Sequence, residues 1–520
     1  MSIIISILAF IFMLGLVILL HELGHFVMAK KAGILCHEFA IGMGPVLYSK
    51  KIGETTYSIR AIPIGGYVMM AGEEVNDELV KVGQTIRVLF SDEVPGHISH
   101  IILDLDDERY LDAETIEVEY VDLKSVHGDP LRINQYPCLK DALYVMKKRT
   151  LQIAPYDRSF ESKTLWQRFI TIFAGPLMNF ILAFILFILV AFAVGLPQDE
   201  PVVAQISESM PADGILHVSD EIIAIEGNEV KSWQDISLLL REYAGQEDLS
   251  FEVIRDGASI SLDINPLLQF YNAGFSSNTD QYDEVIIGSI GQGSAADKAG
   301  LEVGDEITEL VIINENGSES VYPVSTWENV VEAMEANQEG LDMEVTILRD
   351  EESMTFDLGP FSQEFLEGQG VPFIQASIGI SPRYAFDFFG SISYGTRATF
   401  STMGMIFSTL QALFQEERVG VGDLAGPVGI FTITSSAISQ GFIAFINWMA
   451  ILSVNLGVIN LLPIPALDGG RIVFLGYEAI TRKPVNKKVE NSLHILMYFL
   501  LLGLLFFVTF NDILRLLNLR

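Results

Sequence analysis

The sequence predicts an α-helical polytopic membrane protein, with about four transmembrane helices, that carries two α/β domains outside the membrane. Two observations favour this class. Half of the 520 residues are hydrophobic, with a mean hydropathy of +0.36, and yet the formal net charge is −35. Apolar membrane helices that alternate with acidic, water-soluble domains account for both values. A chain of this length is also expected to form several domains.

The charge and the cysteine content exclude two classes of site. A net charge of −35 argues against a nucleic-acid partner, because phosphate binding needs clustered Lys and Arg side chains. Cys36 and Cys138 are far apart in the sequence and do not have metal-ligand spacing. The sequence therefore predicts neither a disulfide framework nor a cysteine metal site.

Four long apolar runs predict the transmembrane helices. They lie at residues 3–20, 169–196, 443–462 and 493–510. The first run, with its continuation, can cross a hydrocarbon core of roughly 30 Å. A cleaved signal peptide is the alternative for this run, but no positive charge precedes it, and His21 and Glu22 follow it directly. Residues 386–414 are aromatic-rich with interspersed Ser, Gly and Thr, which favours an interfacial or short re-entrant helix.

The distribution of Lys and Arg predicts the orientation. Basic residues follow the first span, precede the second and lie between the third and fourth, whereas Asp199 and Glu200 follow the second span. By the positive-inside rule, the loops after the first and third spans are cytoplasmic, and the loop from Gln198 to about Gln440 is outside. Two arginines near the C-terminal end are a minor exception. Four spans with both termini outside is the simplest arrangement.

The large outer loop contains a weak internal repeat. The two copies comprise residues 209–225, Trp233 and 249–256, and residues 294–307, Trp327 and 343–350. In each copy the Trp opens an amphipathic helical stretch, and an alternating strand then ends in Arg-Asp, as expected of half-buried strands. The pattern resembles the PDZ domain, which binds extended peptides at a sheet edge. Two β-rich spacers without a ligand are the alternative, because the first copy has Ile215 and Ser219 where the second has Gly300 and Gly304.

The first span ends in a candidate metal site, His21-Glu22-Leu-Gly-His25. Helical residues four apart share a face, so both imidazoles can reach one metal ion. Zinc in catalytic sites takes three protein ligands and keeps one position for water, and Glu22 is suited to take a proton from that water. A polar helix end is the alternative. Ionisable residues at membrane depth are costly and tend to be functional, which favours the metal site.

A second motif supplies a candidate third ligand. Near the end of the third apolar run stand Asn460, Pro463 and Pro465, followed by Asp468 and two glycines. The prolines break the helix and free backbone groups, which is tolerated at membrane depth only where protein or a water cavity satisfies them. Asp468 is therefore the candidate ligand. A helix-capping Asp in a loop is the alternative, although it does not account for Asn460 and the prolines.

Together these motifs resemble those of the site-2 protease family of intramembrane metalloproteases, which pairs His-Glu-x-x-His with a later Asn-x-x-Pro-x-x-x-x-Asp-Gly. The PDZ-like pair is similar to the regulator-of-sigma-E protease branch rather than to the branch with a CBS domain. Residues 41–45, 60–68 and 173–179 also match that branch. The resemblance implies an endopeptidase that cleaves transmembrane segments of other proteins.

The resemblance also implies roles for individual residues. The implied zinc ligands are His21, His25 and Asp468, with Glu22 as the general base. The implied substrate-binding residues are Asn460, Pro463, Gly65, Gly66 and Tyr67. Asn460 would contact or orient the unwound substrate. Residues 59–70 would form a membrane-associated β-hairpin whose edge pairs with the substrate, since an exposed strand edge can take up freed backbone groups.

The implied substrates are membrane-spanning proteins, such as anti-sigma factors already cut at site one, or signal-peptide remnants. The PDZ-like domains would filter substrates by size and are candidates to bind their peptide C-termini. The implied location is the bacterial cell membrane, in direct contact with the lipid bilayer, with these domains outside and the active site near the cytoplasmic side.

These observations predict the following division of the chain. The first helix covers residues 1–30, the hairpin region 31–71, an acidic cytoplasmic insert 72–160, the second span 166–196, the PDZ-like domains 199–268 and 284–360, an interfacial helix 384–415, the third span 441–480 and the fourth 490–512. The insert has strand-like pieces at residues 115–121 and no motif with a recognisable function. It is either a small regulatory or interaction module or a solvated spacer.

Two other classes of function remain open at this point. One is a membrane-anchored PDZ adaptor with a vestigial enzyme site, and the other is a His-Glu-x-x-His protease with a soluble active site that faces the membrane. The presence of all four residues needed for chemistry argues against the adaptor. The protease with a soluble active site requires a third ligand on a polar helix, for which the sequence has no candidate. A metal other than zinc is compatible with the ligand types.

Overall fold

The structure is a computed structural model of the chain. It describes residues 3–73, 79–126, 129–146, 149–279, 281–291, 294–314, 316–337, 341–359, 374–415 and 425–516. The chain divides into two compact units. The first unit comprises residues 1–187 and 422–520, and the second comprises residues 188–421.

The helices of the described residues include four that are long and apolar enough to cross a membrane. In chain order the helices are α1 (Ile3–Lys31), α2 (Leu165–Val194), α3 (Trp233–Glu242), α4 (Ala295–Ala299), α5 (Trp327–Ala336), α6 (Phe388–Gln415), α7 (Pro427–Gln440), α8 (Phe442–Leu461), α9 (Asp468–Thr481) and α10 (Lys487–Leu516). The four membrane candidates are α1, α2, α8 and α10. This agrees with the four apolar runs in the sequence. The predicted interfacial segment forms α6, which is not among the four.

Helix α7 is a difference from the sequence prediction, which left residues 427–440 in the outer loop. It packs against α1 within the first unit: the Phe10 and Phe431 rings meet edge to face at 5.6 Å, and Ser6 and Ser435 share a hydrogen bond of 2.9 Å. The run was missed because Ser, Thr and Gly interrupt its hydrophobic pattern. In the helix, the Thr434 hydroxyl donates to the carbonyl of Ile430 at 2.7 Å, so its polar side chain is satisfied locally.

Two long strands, β1 (Cys36–Ile52) and β2 (Thr55–Met70), form a hairpin after α1. Its turn lies at residues 53–54, so residues 59–70, which were predicted to form a hairpin by themselves, belong to its second strand. The register shifts repeatedly along the pair, and apolar side chains near its tip are exposed. Glu54 in the turn is paired with Lys30 of α1 and with Arg158 just before α2. Burial would raise the pKa of Glu54, but these two cations outweigh it and lower the pKa. The charged contacts therefore anchor the turn to the helices that flank it.

The insert is a separate β-domain whose two ends lie side by side. Its strands are β3 (Thr85–Phe90), β4 (Ile98–Ile102), β5 (Glu114–Glu117), β6 (Val121–Asp122), β7 (Arg132–Ile133), β8 (Tyr136–Met146) and β9 (Arg149–Gln152). They pair in the order β5-β3-β4-β8-β7-β6, with β9 also on β8, around an apolar core of their own. The Phe160 N–H donates to the carbonyl of Ala71 at 2.7 Å, which closes the base of the insert. A domain with its own core and adjacent ends can be carried in one loop without moving the helices on either side.

The second unit contains two related four-stranded sheets. Its strands are β10 (Leu196–Pro197), β11 (Gln205–Ile206), β12 (Glu221–Ile225), β13 (Asn228–Glu229), β14 (Leu249–Arg255), β15 (Ala258–Ile264), β16 (Leu267–Phe270), β17 (Phe275–Ser277), β18 (Ile287–Ile290), β19 (Glu306–Ile313), β20 (Glu319–Pro323), β21 (Asp342–Arg349), β22 (Glu352–Gly359), β23 (Ile374–Ser377), β24 (Ile380–Ser381) and β25 (Tyr384–Ala385). One sheet has the order β13-β12-β14-β15, with α3 between β13 and β14 in the chain, and the other has the order β20-β19-β21-β22, with α5 in the matching place. The internal repeat in the sequence is thus a repeat in structure.

The same ion pair recurs in both copies. Arg255, at the end of β14, donates two hydrogen bonds, of 2.9 and 2.7 Å, to the carboxylate of Asp220. Asp220 is buried and lies in the turn just before β12. Arg349 holds buried Asp305 in the same way, with two bonds of 2.6 Å. Burial would raise the pKa of Asp220, but Arg255 outweighs it and lowers the pKa. The Arg-Asp strand ends and the Asp turns that match in the sequence are therefore partners in space.

Strands outside the two sheets connect the copies within the second unit. Strand β24, which follows the second copy in the chain, pairs with β11, which precedes the first copy's sheet. A further sheet has the order β18-β17-β16-β23. Ile378, between β23 and β24, is buried in the apolar core of the first copy. Residues that follow the second copy in the chain thus complete the first copy. The predicted division into two consecutive domains, residues 199–268 and 284–360, did not include this contribution.

The thiol reactivity of the two cysteines provides a test of this fold. Cys36 and Cys138 are 0% and 6% exposed, and burial raises the pKa of their thiols to about 11 and about 12. Because the thiolate is the reactive form, we expect both residues to react with a disulfide reagent at pH 7 at least about 100-fold more slowly than a free thiol. Denaturation in SDS should release both. Rapid labelling of either cysteine in the native protein would contradict the burial described here.

Candidate metal centre

Two histidines from α1 and one aspartate from the start of α9 meet at one point in the first unit. His21 Nε2 lies 3.2 Å from His25 Nε2. Asp468 Oδ2 lies 3.2 Å from His21 Nε2 and 3.4 Å from His25 Nε2. Both histidines are buried. The two sequence motifs, more than 400 residues apart, therefore contribute to a single cluster of potential ligand atoms.

The spacing of these three atoms fits a zinc ion. Ligands at about 2.0–2.1 Å from a tetrahedral zinc ion lie about 3.3 Å from one another. Two imidazole nitrogens and one carboxylate oxygen are also a donor set that zinc accepts in catalytic sites, where three protein ligands leave one position for water. His21, His25 and Asp468 are the residues that would hold the ion.

Helix α2 supplies the partners that orient the two imidazoles. His25 Nδ1 donates to the carbonyl oxygen of Thr171 at 2.9 Å, and His21 Nδ1 lies 3.2 Å from the side-chain amide of Asn179. With Nε2 directed at a metal, Nδ1 carries a hydrogen and needs an acceptor. The Asn179 oxygen, which lacks a hydrogen-bond partner among the described residues, meets this need once the amide is rotated by half a turn.

Asn179 and Thr171 were not assigned a role from the sequence, although a signal was present. Thr171, Gly175 and Asn179 follow one another at intervals of four residues, so they share one face of an otherwise apolar helix. Asn179 is fully buried, and its backbone carbonyl accepts a hydrogen bond of 2.8 Å from Ser453 of α8. A polar residue in this position on an apolar helix indicates a partner on the neighbouring helix.

Glycines allow α1 and α2 to approach each other at the site. A Cβ atom on Gly24 would lie 2.2 Å from the carbonyl oxygen of Ala174, and one on Gly175 would lie 2.2 Å from His25 Nε2. Small residues at such crossings let membrane helices pack closely. The close approach brings the carbonyl of Thr171 and the amide of Asn179 within hydrogen-bonding distance of the two histidines.

The loop before α9 and an ion pair hold Asp468 in place. Gly469 and Gly470 lie against the carbonyl oxygens of Leu462 and Ile464, where a Cβ atom would be only 2.1 and 2.4 Å away. The Arg168 guanidinium of α2 donates two hydrogen bonds, of 2.7 and 3.1 Å, to the carboxylate of Glu478, which lies farther along α9. Asp468 is the first residue of α9, and its carboxylate faces the histidines rather than the helix end. The simple capping interpretation of this residue is therefore not supported.

Glu22 and the hairpin lie next to the metal ligands. Strand β2 passes α1 at Gly66, where an added Cβ atom would lie 3.0 Å from Glu22 Cγ. Gly66 pairs with Ile41 of β1, and Tyr67 pairs with Ala40. Residues 38–41 of β1 pair with residues 66–69 of β2 on one side and with residues 56–59 of β2 on the other, so it is the stretch at Gly66 that has one edge without a partner strand among the described residues. Of the predicted residues Gly65, Gly66 and Tyr67, Gly66 thus lies next to the candidate general base, and the other two adjoin it in β2.

The other predicted substrate-binding residues lie on the segment that leads to Asp468. Asn460 is half-buried in the last turn of α8, and Pro463 is in the loop that follows. Their contact with a substrate stays a prediction.

Gly175 offers a direct test of the site. We expect Gly175→Ala to displace His25 and to lower the zinc content of the purified protein, because the new methyl group would overlap the imidazole. Gly15→Ala, on α1, is the matched control, since an added Cβ atom there meets nothing within 4 Å. Zinc per chain is measured by atomic absorption. A Gly175→Ala protein with a full zinc content would contradict the close approach described above.

Known proteins match this chain over most of its length. The model of peptidase family M50 matches residues 9–504. The chain is 33% identical over 520 residues to the zinc metalloprotease RasP of Bacillus licheniformis, covering 98% of this chain and 99% of that protein. It is 33% identical to the zinc metalloprotease RasP of Geobacillus kaustophilus over 516 residues, covering 98% and 97%. It is 30% identical over 519 residues to the regulator of sigma-W protease RasP of Bacillus subtilis, covering 98% and 99%.

The family match spans nearly the whole chain, and the relatives match it from end to end. The family match includes both parts of the candidate metal centre, all of α2 and α8, and most of α1 and α10. The chain therefore belongs to peptidase family M50, the site-2 protease family of zinc metalloproteases.

Proposed function

We propose that this protein is an intramembrane endopeptidase that cleaves transmembrane segments of other membrane proteins. The observation that supports this most directly is the location of the metal centre. Its two histidines belong to α1, one of the most apolar helices of the chain, and their partners belong to α2, a second apolar helix. A site enclosed in this way acts on peptide bonds at membrane depth.

In this proposal His21, His25 and Asp468 hold the ion, and Glu22 is the general base. A zinc ion held by these residues would supply Lewis-acid chemistry and would lower the pKa of a water molecule towards about 7. A Glu22 carboxylate oxygen takes the proton from the attacking water and then delivers it to the amide nitrogen as the C–N bond breaks. Asn179 and Thr171 keep both imidazoles turned towards the ion through their Nδ1 atoms.

The hairpin is proposed to hold the substrate backbone. A transmembrane helix hides its peptide bonds in internal hydrogen bonds, and it must be unwound locally before one of them can be attacked. The freed N–H and C=O groups then need partners, because hydrocarbon offers none. The free edge of the hairpin near Gly66, which is adjacent to Glu22, is suited to take them up.

We propose that the two copies in the second unit are PDZ-like domains outside the cytoplasm that filter substrates by size. The repeated architecture and the repeated Arg–Asp ion pair support this assignment. A peptide C-terminus could add only to a free strand edge. Strand β17 is not free, because β16 and β18 pair with it on either side. Capture of a peptide C-terminus would therefore use an edge strand of this sheet, β18 or β23, rather than β17.

The proposed substrates are membrane-anchored proteins already shortened outside the membrane, including anti-sigma factors and signal-peptide remnants. The name of the Bacillus subtilis relative, regulator of sigma-W protease, supports the first of these. The charge pattern supports an orientation in the bacterial cell membrane with the metal centre towards the cytoplasm.

Substitutions of Glu22 and Asp468 distinguish proton transfer from metal binding in the proposed site. We expect Glu22→Gln to lower the cleavage rate of a single-span substrate by about 10²–10⁴-fold, because it removes proton transfer, while zinc stays bound. Asp468→Asn should lower both zinc content and cleavage, because it weakens a ligand. Both variants are measured in detergent beside Asp141→Asn, an exposed acid of the insert that should change neither quantity. Efficient cleavage by Glu22→Gln would exclude Glu22 as the general base.

A further inference from the structure

The turn that precedes the third metal ligand contains a residue in an unfavourable backbone conformation. The Leu467 N–H donates to the carbonyl of Ile464 at 3.1 Å, which closes a four-residue turn with Pro465 in its second position. Ala466, in the third position, has a φ of +85°. These are features of a type II turn, in which the third position normally needs glycine. Alanine at this position is strained, so other contacts must hold the turn.

A histidine from α10 makes such a contact. The backbone N–H of Ala466 is not used by the turn's own hydrogen bond, and it donates to Nδ1 of His494 at 2.9 Å. The His494 ring lies edge-on to Phe474 of α9, with 5.9 Å between centroids. Its Nε2 is 4.0 Å from the Glu490 carboxylate, one turn earlier on α10. A carboxylate on that side favours the tautomer with hydrogen on Nε2, which leaves Nδ1 free to accept.

The conformation of this turn determines where Asp468 lies. Asp468 is two residues after Ala466 and is the first residue of α9. Leu467 precedes it, and within the described residues no side-chain cap fixes this end of the helix. The next two residues, Gly469 and Gly470, lie directly against the carbonyls of the turn and of the end of α8. A change in the turn is therefore transmitted to the carboxylate that faces His21 and His25.

We propose that His494 is a positioning residue for the metal ligand Asp468. By accepting the Ala466 N–H, it holds the strained turn in the one conformation that presents Asp468 to the two histidines. The inference rests on the proposed function only in that Asp468 is taken as a zinc ligand. His494 itself does not contact the ligand atoms; it acts through the backbone of the turn.

The test is a comparison of zinc affinity in detergent, measured by competition with a fluorescent chelator and without any substrate. His494→Phe removes the acceptor and keeps a ring beside Phe474. We expect it to weaken zinc binding by about 10-fold, at the lower end of the range for groups that orient metal ligands. His494→Asn places an amide oxygen near the position of Nδ1, and it should stay close to the parent value.

Ala466→Gly supplies a rescue that a general packing defect would not show. Glycine adopts positive φ without strain, so the turn no longer needs His494. In the His494→Phe background, Ala466→Gly should therefore restore most of the lost affinity, whereas in the parent it should change little. The thermal unfolding of the metal-free proteins is recorded in parallel. If His494→Phe does not fold, His494→Gln takes its place, since its longer side chain puts the acceptor beyond Nδ1.

Three outcomes would overturn the proposal. The first is a zinc affinity of His494→Phe, or of His494→Gln where it is used instead, within about twofold of the parent value. The second is that Ala466→Gly fails to restore the zinc affinity lost in that variant. The third is a parent protein that binds no zinc. The last would also overturn the proposed function. A parent that binds zinc but cleaves no membrane substrate would contradict the proposed function alone, because the His494 measurement uses only the metal.

Discussion

The meeting of His21, His25 and Asp468 at one point is the constraint on which the rest of the first unit depends. These groups lie among apolar helices, where a polar or charged side chain without partners is costly. The imidazole Nε2 atoms and the carboxylate face one position, where a bound ion would pair with all three, and the Nδ1 atoms face α2. The helices must therefore be held to within a few tenths of an ångström, because a metal site tolerates little displacement.

Close backbone contacts provide that precision. Gly24 and Gly175 let α1 and α2 approach, Gly66 brings the hairpin to Glu22, and Gly469 and Gly470 seat α9 against the preceding loop. Apolar packing alone cannot achieve this inside a membrane, since lipid chains are as apolar as the helices. Ion pairs near the helix ends, such as the one between Arg168 of α2 and Glu478 of α9, limit how far these helices can shift relative to each other.

Much of this could be predicted from the sequence, because the signals were periodic or local. The apolar runs gave the four long helices, and the spacing of His21 and His25 placed both on one face of α1. Asp468 could be singled out as an acid beside apolar residues. The orienting contacts from Thr171 and Asn179 could not be read in the same way, since Thr and Asn on an apolar helix specify a need for a partner but not its identity.

Other features depend on tertiary context. Helix α7 was missed because its Ser and Thr residues read as loop, whereas in the structure it is supported by packing against α1. The pairing of β24 with β11 joins segments that are more than 170 residues apart, and no local pattern encodes such a pairing. The positive φ of Ala466 is also invisible in the sequence, because Pro-Ala is compatible with several turn types.

The central claim is that two distant motifs form one zinc site from two imidazoles and one carboxylate. X-ray absorption at the zinc edge of the purified protein measures these ligands directly. The account predicts two imidazole nitrogens together with oxygen ligands at about 2.0–2.2 Å, and loss of one oxygen contribution or of bound zinc in Asp468→Ala. Sulfur ligands at about 2.3 Å, or an unchanged spectrum at full zinc content in that variant, would contradict it.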